Sequence, residues 1–230
     1  ATYATYLNAI KSHRWNTMGI PQDSSAVNAS IITFITSMRE TYGRKVQAVL
    51  YNATGDYEGI ISVAQGYKTA IETVSPTTFI AYIAGLTAGA NIDSSNTYHV
   101  IEGAVSIEYP AGVTPYGDDD IIAALQAGEL VLSTRQDGKV VIEQDINTLH
   151  TFTADKGYAF SKNRVIRTLD EINNSIALLF ENNYIGKVDN TDDGRNIFKA
   201  DVIAYLNTLQ DIGAIQNFDS VTDIEVLAGE

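Results

Sequence analysis

Residues 129–146 read Glu-Leu-Val-Leu-Ser-Thr-Arg-Gln-Asp-Gly-Lys-Val-Val-Ile-Glu-Gln-Asp-Ile and carry the strongest local signal in the chain. Two runs rich in Val, Ile and Leu, residues 129–135 and 139–146, flank the turn sequence Gln136-Asp137-Gly138. An Asp-Gly pair between two such runs is typical of a β-hairpin, because its turn residues must accept positive φ. We therefore predict a hairpin here, with both Asp137 and Gly138 at positive φ.

Two long helices are predicted after this hairpin. Apolar residues spaced 4, 3, 4 and 3 apart give residues 161–183 a narrow buried face, formed by Val165, Leu169, Ile172, Ile176 and Leu179. Residues 194–212 form the second helix, which Gly213 ends, and its buried residues are Phe198, Val202, Tyr205, Leu206 and Leu209. The segments 214–218 and 221–227 are predicted to be final strands.

Helices and strands alternate before the hairpin. The predicted elements are a helix at 2–14, a helix capped by Asp23 or Ser24, strands at 45–51 and 60–63, a helix from Ser75-Pro76, a strand at 104–109, and a helix that opens with Asp118-Asp119-Asp120. Gly85 and Gly89 leave one helix face bare, and we expect another backbone to approach it. The order of elements predicts α/β for the first part and α+β for the second.

The composition restricts the class of protein. The chain has 230 residues and no Cys, which excludes disulfides, Cys-ligated zinc and thiol catalysis. Its net charge of −13 repels nucleic acid and anionic lipid as a whole. The longest apolar stretch, residues 79–92, is too short and too polar to span a bilayer, and residues 1–15 lack the pattern of a signal peptide. We expect neither nucleic-acid binding nor membrane insertion.

The sequence carries no recognisable catalytic or metal-binding motif. It lacks G-x-S-x-G, G-x-x-x-x-G-K, G-x-G-x-x-G and H-E-x-x-H. His13, His99 and His150 are scattered, so only folding could assemble a Ser/His/Asp triad, and a hydrolase stays open as an alternative. The loop from Asp189 resembles half of a calcium loop, but its twelfth position is Ala200 instead of a bidentate Glu. We expect a polar loop that caps the next helix, and no metal.

A basic segment stands out in this acidic chain. Residues 156–167 contain no acidic side chain and four basic ones, which are Lys156, Lys162, Arg164 and Arg167. On a helical wheel Arg164 and Arg167 lie opposite the apolar face, beside Glu171 and an exposed-looking Leu178. Two interpretations remain open: an ordinary solvated helix face, or a local positive surface that contacts an acidic partner.

A series of short motifs runs along nearly the whole chain in a fixed order. In the first part these are Lys45-Val-Gln-Ala-Val49, Asp56-Tyr-Glu-Gly-Ile-Ile61, Ile83-Ala-Gly-Leu-Thr-Ala-Gly89 and Ser95-Asn-Thr-Tyr98. In the second part they are Ala127-Gly-Glu-Leu-Val-Leu132, Val141-Ile-Glu-Gln-Asp-Ile-Asn-Thr148, Asn163-Arg-Val-Ile-Arg-Thr-Leu-Asp170, Ile185-Gly-Lys187, Gly194-Arg195, and Tyr205-Leu206 to Gly213-Ala-Ile215. In this order the motifs resemble the tail sheath proteins of contractile phages, prophages and phage-tail-like bacteriocins, and most closely those of Gram-positive prophages.

The resemblance implies two domains. Residues 1–115 would be the later part of the sheath's subtilisin-like domain, which is named for its shape and not for protease activity, and residues 116–230 would be the sheath C-terminal domain. The expected fold is α/β followed by α+β: a mixed sheet with flanking helices, then a smaller domain of the hairpin and two long helices. Family members also have an N-terminal arm and domain and a C-terminal strand, so we expect this chain to be a fragment without them.

The implied function is structural, without enzyme activity, cofactor or metal. The subunit would polymerise around an inner tube and contract to drive that tube through a cell envelope. Its implied partners are further copies of itself, the inner tail tube protein, and baseplate and tail terminator proteins, in a virion or phage-tail-like particle assembled in the bacterial cytoplasm. The tube or a neighbouring subunit would contact Lys156, Lys162, Arg164, Arg167, Glu171 and Leu178. A hydrolase and a surface or carbohydrate-binding module, the latter suggested by 13 Tyr residues, stay open as alternatives.

Overall fold

Helices and short strands alternate through most of the chain in the computed structural model, which describes residues 3–229, and two long helices follow. The helices are α1 (Tyr3–Ile10), α2 (Ser25–Thr36), α3 (Pro76–Gly89), α4 (Asp118–Gln126), α5 (Asn163–Asn183) and α6 (Asp192–Asp211). The strands are β1 (Thr17–Gly19), β2 (Gln47–Tyr51), β3 (Ile60–Val63), β4 (Gly66–Lys68), β5 (Thr73–Val74), β6 (Ser106–Glu108), β7 (Glu129–Leu130), β8 (Leu132–Thr134) and β9 (Val140–Ile142). The predicted mixed α/β organisation is confirmed.

A parallel sheet with the order β1–β2–β3–β7 lies at the centre of the first part. Its central strands β2 and β3 are almost entirely buried, as expected for a parallel sheet that is covered on both faces. Neighbouring residues of one strand face opposite cores. Leu50 belongs to the core that contains Ile31 of α2, whereas Val49 belongs to the core that contains Phe79 of α3 and Leu132 of β8.

Capping residues fix the starts of the two helices that cover this sheet. The Ser24 hydroxyl accepts a hydrogen bond from the Val27 N–H at the start of α2, and the Ser75 hydroxyl accepts one from the Thr78 N–H at the start of α3. Pro76 occupies the first turn of α3, as predicted. α1 is shorter than predicted, since it ends at Ile10, and the predicted starting residue Thr2 lies outside the described residues.

The hairpin β8–β9 is confirmed as an antiparallel pair, but its turn differs from the prediction. Gly138 has a φ of 81°, whereas Asp137 is not at positive φ. The Arg135 N–H donates to the Lys139 carbonyl, and the Gly138 N–H donates to the Arg135 carbonyl. These bonds make a three-residue loop, in which only the glycine adopts the left-handed conformation.

Gly85 and Gly89 were expected to allow close approach of another backbone, but no backbone lies close to either among the described residues. A Cβ atom placed on Gly85 or Gly89 would meet no atom within 4 Å among the described residues. The close approach lies elsewhere on α3, where a Cβ on Gly19 of β1 would stand 3.0 Å from Ala84 and 3.1 Å from Ile80. The glycine that admits close packing is therefore on the strand rather than on the helix.

The chain divides into two compact units. The first unit contains the residues up to Asn91 and Ser95–Ile166, and the second unit contains Ile92–Ser94 and the chain from Arg167 onward. The division between the units falls within α5. β7 pairs with β3, and Leu132 and Ile142 of the hairpin belong to the core of the first unit. Among residues 3–229, no helix has the length and apolar character that a membrane span requires.

α5 and α6 supply the core of the second unit. Val202, Leu206 and Leu209 of α6 are buried, and Ile172, Ile176 and Leu179 of α5 pack against them. Thr191 caps α6 by accepting a hydrogen bond from the Gly194 N–H at 3.2 Å, so the loop is a helix cap as predicted.

Two sequence expectations fail at this end of the chain. Leu169 is 43% exposed and does not belong to the buried face of α5, whereas Ile166 is 1% exposed. The segments 214–218 and 221–227 form no strands, because Phe218 and Ile224 instead pack on the helical core and the second unit offers no strand edge among its described residues.

Candidate interaction surface

Two carboxylates hold the segment between the hairpin and α5 against the rest of the first unit. Asp56 accepts hydrogen bonds from the backbone N–H groups of His150 at 2.9 Å and Thr151 at 3.0 Å. Glu58, with a side chain only 6% exposed, lies 2.8 Å from the Lys156 ammonium. Lys156, which the sequence suggested as a partner contact, therefore forms an internal ion pair.

Tyr57 lies among charged side chains next to this ion pair. The Lys156 Nζ is 5.3 Å and the Arg39 Cζ is 6.0 Å from the centre of its ring. The Tyr57 hydroxyl donates to Glu40 at 2.7 Å, and this hydrogen bond is the main reason that the pKa of Glu40 is lowered. Burial, assisted by the same hydrogen bond, raises the pKa of Tyr57. At neutral pH the pair is therefore a charge-assisted hydrogen bond between a phenol and a carboxylate.

A buried polar network fixes the start of α5. The Asn163 side-chain amide donates to the Asp145 carboxylate and to the Ile146 carbonyl, each at 2.9 Å, and Asn163 is fully buried. The other Asp145 oxygen accepts the Asn96 backbone N–H at 3.0 Å. Because buried polar groups are costly unless they are hydrogen-bonded, these residues specify one geometry for the chain that enters α5.

Lys162 and Arg164, at the start of α5, belong to the first unit and are partly buried. The Lys162 ammonium donates to the Gln144 side chain at 2.6 Å and lies 4.6 Å from the centre of the Tyr158 ring. Lys162 is thus engaged within its own unit, like Lys156. The four basic residues do not form one unoccupied positive surface.

The other three predicted contact residues belong to the second unit. Arg167 is partly buried and donates to the Ser94 carbonyl at 2.9 Å. Glu171 is exposed and accepts a hydrogen bond from the Ser175 hydroxyl at 2.6 Å. Leu178 is 38% exposed. Of the six predicted residues, Glu171 and Leu178 are therefore the ones that stand at the surface.

The second unit exposes many large apolar side chains. Those at least 38% exposed are Leu169, Leu178, Phe180, Ile185, Val188, Ile197, Ile212, Val221 and Leu227. The rings of Phe180, Tyr184 and Phe198 lie 4.9 to 5.9 Å apart and border an apolar groove of about 330 Å³. Exposed apolar area of this kind marks surfaces that contact other proteins. The periodicity of the sequence did not predict this exposed apolar surface, because regularly spaced apolar residues can form either a core or an interface.

The described histidines with side-chain contacts serve structural roles. The His99 ring nitrogen contacts the Tyr82 hydroxyl at 3.1 Å. The His150 ring contacts the Thr148 carbonyl at 2.9 Å and lies 3.4 Å from an Asp56 oxygen. Neither contact brings a serine hydroxyl to the imidazole, which is what a triad would require.

Comparison with known protein families shows which family the chain belongs to. The family profile of the phage tail sheath protein central domain matches residues 1–148, and that of the phage tail sheath C-terminal domain matches residues 155–230. The chain belongs to the phage tail sheath protein family. The sheath resemblance inferred from the sequence is thereby confirmed.

Individual relatives agree with this assignment. The sheath chain is 35% identical to a phage-like element PBSX protein of Bacillus subtilis (strain 168), covering 99% of this chain and 50% of that protein. It is 31% identical to the tail sheath protein of Clostridium phage phiCD119, covering 95% and 60%. The chain therefore spans about half the length of the curated relatives it matches.

Solved structures place the fold in the same family. The crystal structure of a sheath tail protein from Desulfitobacterium hafniense superimposes with a TM-score of 0.87 at 43% identity, covering 96% of this chain and 51% of that one. The helical sheath of the anti-feeding prophage in its contracted state shares the fold, with a TM-score of 0.66 at 10% identity and coverage of 90% and 57%.

The two matched sheath domains meet at the segment that Asp56 and Glu58 hold. Residues 149–154 lie between the matched ranges. They include His150 and Thr151, and the backbone N–H groups of both residues donate hydrogen bonds to Asp56. Lys156, the second residue of the next matched range, pairs with Glu58. The connection between the two sheath domains is therefore anchored to the first unit by specific bonds.

Proposed function

We propose that this chain is part of a structural subunit of a contractile tail sheath, which polymerises around an inner tube and contracts to drive that tube through a cell envelope. The observation that carries the proposal is the succession of two sheath-domain matches along one chain. The exposed apolar side chains of the second unit support it, because a protein that works by packing against copies of itself needs such surface.

The mechanism requires no covalent chemistry. Head-to-tail contacts that do not close into a ring extend into a helical sleeve. The extended sleeve is metastable and is kept from contracting by a kinetic barrier. A trigger at one end lets subunits rotate as nearly rigid bodies into a shorter lattice. A gain of about 1.4 kcal/mol per subunit is a tenfold bias, and summed over many subunits it makes contraction irreversible.

The proposed partners are further sheath subunits, the inner tube protein, and the baseplate and terminator proteins that bound the sleeve. The assembly takes place in the bacterial cytoplasm, and the product is a virion or phage-tail-like particle. The domain division that the resemblance implies makes residues 1–115 the later part of the subtilisin-like domain and residues 116–230 the C-terminal domain. It differs from the matched ranges 1–148 and 155–230 and from the physical division within α5.

α5 is proposed to face the tube or a neighbouring subunit. Glu171 and Leu178 supply exposed contacts on this helix. Lys156, Lys162 and Arg167 each bind a residue of their own unit, and together with Arg164 they add positive charge near this helix. Exposed ion pairs are worth roughly 0–1 kcal/mol each, which suits contacts that must break and form again during contraction.

Electron microscopy of the full-length sheath protein co-expressed with its tube protein tests this function. Wild-type protein should form striated sleeves, and Leu178→Asp together with Glu171→Lys should reduce the number of extended particles several-fold. Ile71→Asp in the first unit is the matched control, because Ile71 is 93% exposed and lies outside α5. Absence of any sleeve from the wild type would refute the sheath function, whereas normal sleeves from the α5 variant would refute only the placement of α5.

A further inference from the structure

We propose that a groove in the first unit binds an arginine or lysine side chain of a partner protein. The groove has a volume of about 910 Å³, and we name it the tyrosine groove after Tyr98, Tyr109 and Tyr116, which line it. All of its lining residues belong to the first unit. The proposal concerns the ligand chemistry of this groove and does not depend on the sheath function.

The walls of the tyrosine groove are aromatic. The rings of Tyr109 and Tyr116 lie 5.3 Å apart at an angle of 59°. Tyr98 is 55% exposed and stands at a φ of 60°, a conformation that is uncommon for a residue other than glycine. Its backbone N–H is fixed by a 2.8 Å hydrogen bond to the Ile142 carbonyl. The fold thus holds an exposed ring in an unusual backbone conformation at the edge of the groove.

The rim of the tyrosine groove is acidic. Asp118, Asp137 and Glu143 line it together with one cation, Arg135, which lies 3.5 Å from Asp137. The Glu143 Oε2 accepts a hydrogen bond from Ser133, and its Oε1 accepts none from the described residues. No hydrogen bond or ion pair joins the Asp118 carboxylate to another side chain or backbone group of residues 3–229. Two negative charges are therefore left to attract a cation.

Aromatic faces and carboxylates in one groove select a particular ligand. A guanidinium or ammonium group binds the face of a tyrosine ring and pairs with carboxylates at the same time. Arg satisfies both contacts best, because its planar group stacks and also forms two parallel hydrogen bonds. Among the described residues, no group of three or more His, Cys, Asp or Glu side chains could hold a metal ion.

A peptide titration followed by NMR tests the proposal. The probe is acetyl-Gly-Arg-Gly-Arg-Gly-amide, and the reference peptide carries Gln in place of both Arg residues. We expect the Arg peptide to shift the ring signals of Tyr98, Tyr109 and Tyr116 with a dissociation constant below about 1 mM at low salt, and to bind at least tenfold more tightly than the Gln peptide. Added salt should weaken this binding.

A pair of double variants separates the groove from the overall charge. Asp118→Asn with Glu143→Gln should weaken binding of the Arg peptide about tenfold. Asp119→Asn with Glu102→Gln changes the net charge equally at exposed residues that do not line the groove, and it should change binding less than twofold. Circular dichroism confirms that both variants fold. Equal loss in both double variants would overturn the proposal, as would the absence of Arg-peptide binding.

Neutral oligosaccharide is the other class of ligand that a tyrosine-lined groove could accept. Maltotetraose and chitotetraose are therefore titrated under the same conditions. Binding of either sugar that shifts the three tyrosines and persists at high salt, without Arg-peptide binding, would replace the proposal with a carbohydrate site. Binding of the Arg peptide alone supports it. Neither result changes the test of the sheath function, because that test measures whether the full-length protein forms sleeves.

Discussion

The two units differ in how completely they bury their apolar residues. The largest fully buried side chains, among them Phe79, Ile61 and Leu132, all lie in the first unit. In the second unit the best buried core positions, Val202, Leu209 and Leu206, retain 4 to 6% exposure. A sheet that is covered on both faces buries apolar side chains in two cores. Two packed helices bury only the side chains between them.

This difference in burial affects where we expect the chain to contact other proteins. The first unit buries its largest apolar side chains completely, and its surface contains the proposed tyrosine groove. The second unit leaves several large apolar side chains in solvent, and under the proposed function we expect other subunits to cover them. We therefore expect the isolated chain to have one robust part and one marginal part.

Truncation of a core side chain in each unit gives the largest expected effect. Phe79→Ala in the first unit should lower the free energy of unfolding by about 3–5 kcal/mol, because Phe79 is fully buried and leaves a cavity. Leu206→Ala in the second unit should cost about 2–3 kcal/mol, because Leu206 lies near solvent and its surroundings can collapse. Urea unfolding measures both values.

Two signals distinguish the units in this experiment. Trp15 is the only Trp and stacks on Phe34 in the first unit, so its fluorescence follows that unit. Far-ultraviolet circular dichroism also follows α5 and α6. Leu206→Ala should shift the dichroism transition and leave the fluorescence transition nearly unchanged, and Ile71→Ala should shift neither. Coincident shifts in both signals would contradict the division into units.

A pair of glycine substitutions should give the next largest change in the free energy of unfolding. A Cβ on Gly66 of β4 would stand 2.1 Å from the Val74 carbonyl oxygen, so Gly66→Ala should destabilise the first unit by about 2–3 kcal/mol through overpacking. Gly85 in α3 has open space around it, so Gly85→Ala should stabilise by about 0.5–1 kcal/mol. Urea unfolding by Trp15 fluorescence measures the pair, and a stable Gly66→Ala variant would show that the first unit is less rigid than its packing indicates.

Local signals in the sequence predicted much of the fold. The caps at Ser24 and Ser75, the buried strands around Val49 and Ile61, and the Asp-Gly hairpin all depend on a few neighbouring residues, and the structure contains each of them. The final strands failed for the opposite reason. A strand requires a partner edge, and nothing in a local pattern shows that the second unit provides none.

The interaction surface was less predictable, because its bonds join distant parts of the sequence. The basic segment was recognised from its composition, but Lys156 pairs with Glu58 across 98 residues of sequence and so binds within its own unit. The three tyrosines and three carboxylates of the tyrosine groove likewise come from separate loops and α4. The spacing of residues along the sequence therefore predicted neither the Lys156–Glu58 ion pair nor the tyrosine groove.

Breaking the Lys156–Glu58 ion pair should lower the free energy of unfolding by less than the core and Gly66 substitutions do. Lys156→Gln leaves the nearly buried Glu58 carboxylate without its cation, which should cost about 1–2 kcal/mol, since the lysine is itself 39% exposed. Lys68→Gln is the matched control. Lys68 pairs with Glu108 at 2.6 Å on the surface, and its loss should cost less than about 1 kcal/mol. Equal costs measured in urea would show that burial does not strengthen the pair that anchors the domain connection.

The smallest expected effect compares a tyrosine–carboxylate hydrogen bond in each unit. Tyr57 donates to Glu40 in the first unit at 2.7 Å, and Tyr184 donates to Asp201 in the second at 2.5 Å. Tyr57→Phe removes the main cause of the lowered Glu40 pKa, so that pKa should rise toward 4.5 in an NMR titration of the carboxyl carbon. Tyr184→Phe should leave it unchanged.

The sign of the matching stability effect follows from linkage. A carboxyl with a lowered pKa in the folded state adds stability above its unfolded pKa and loses it as the pH falls through the folded value. The difference in unfolding free energy between wild type and Tyr57→Phe should therefore be largest at neutral pH and shrink below about pH 4.5. A constant difference over that range would mean that Tyr57 acts through packing against Lys156 and Arg39 alone. A response of the Glu40 pKa to Tyr184→Phe would contradict the expectation that each hydrogen bond acts only within its own unit.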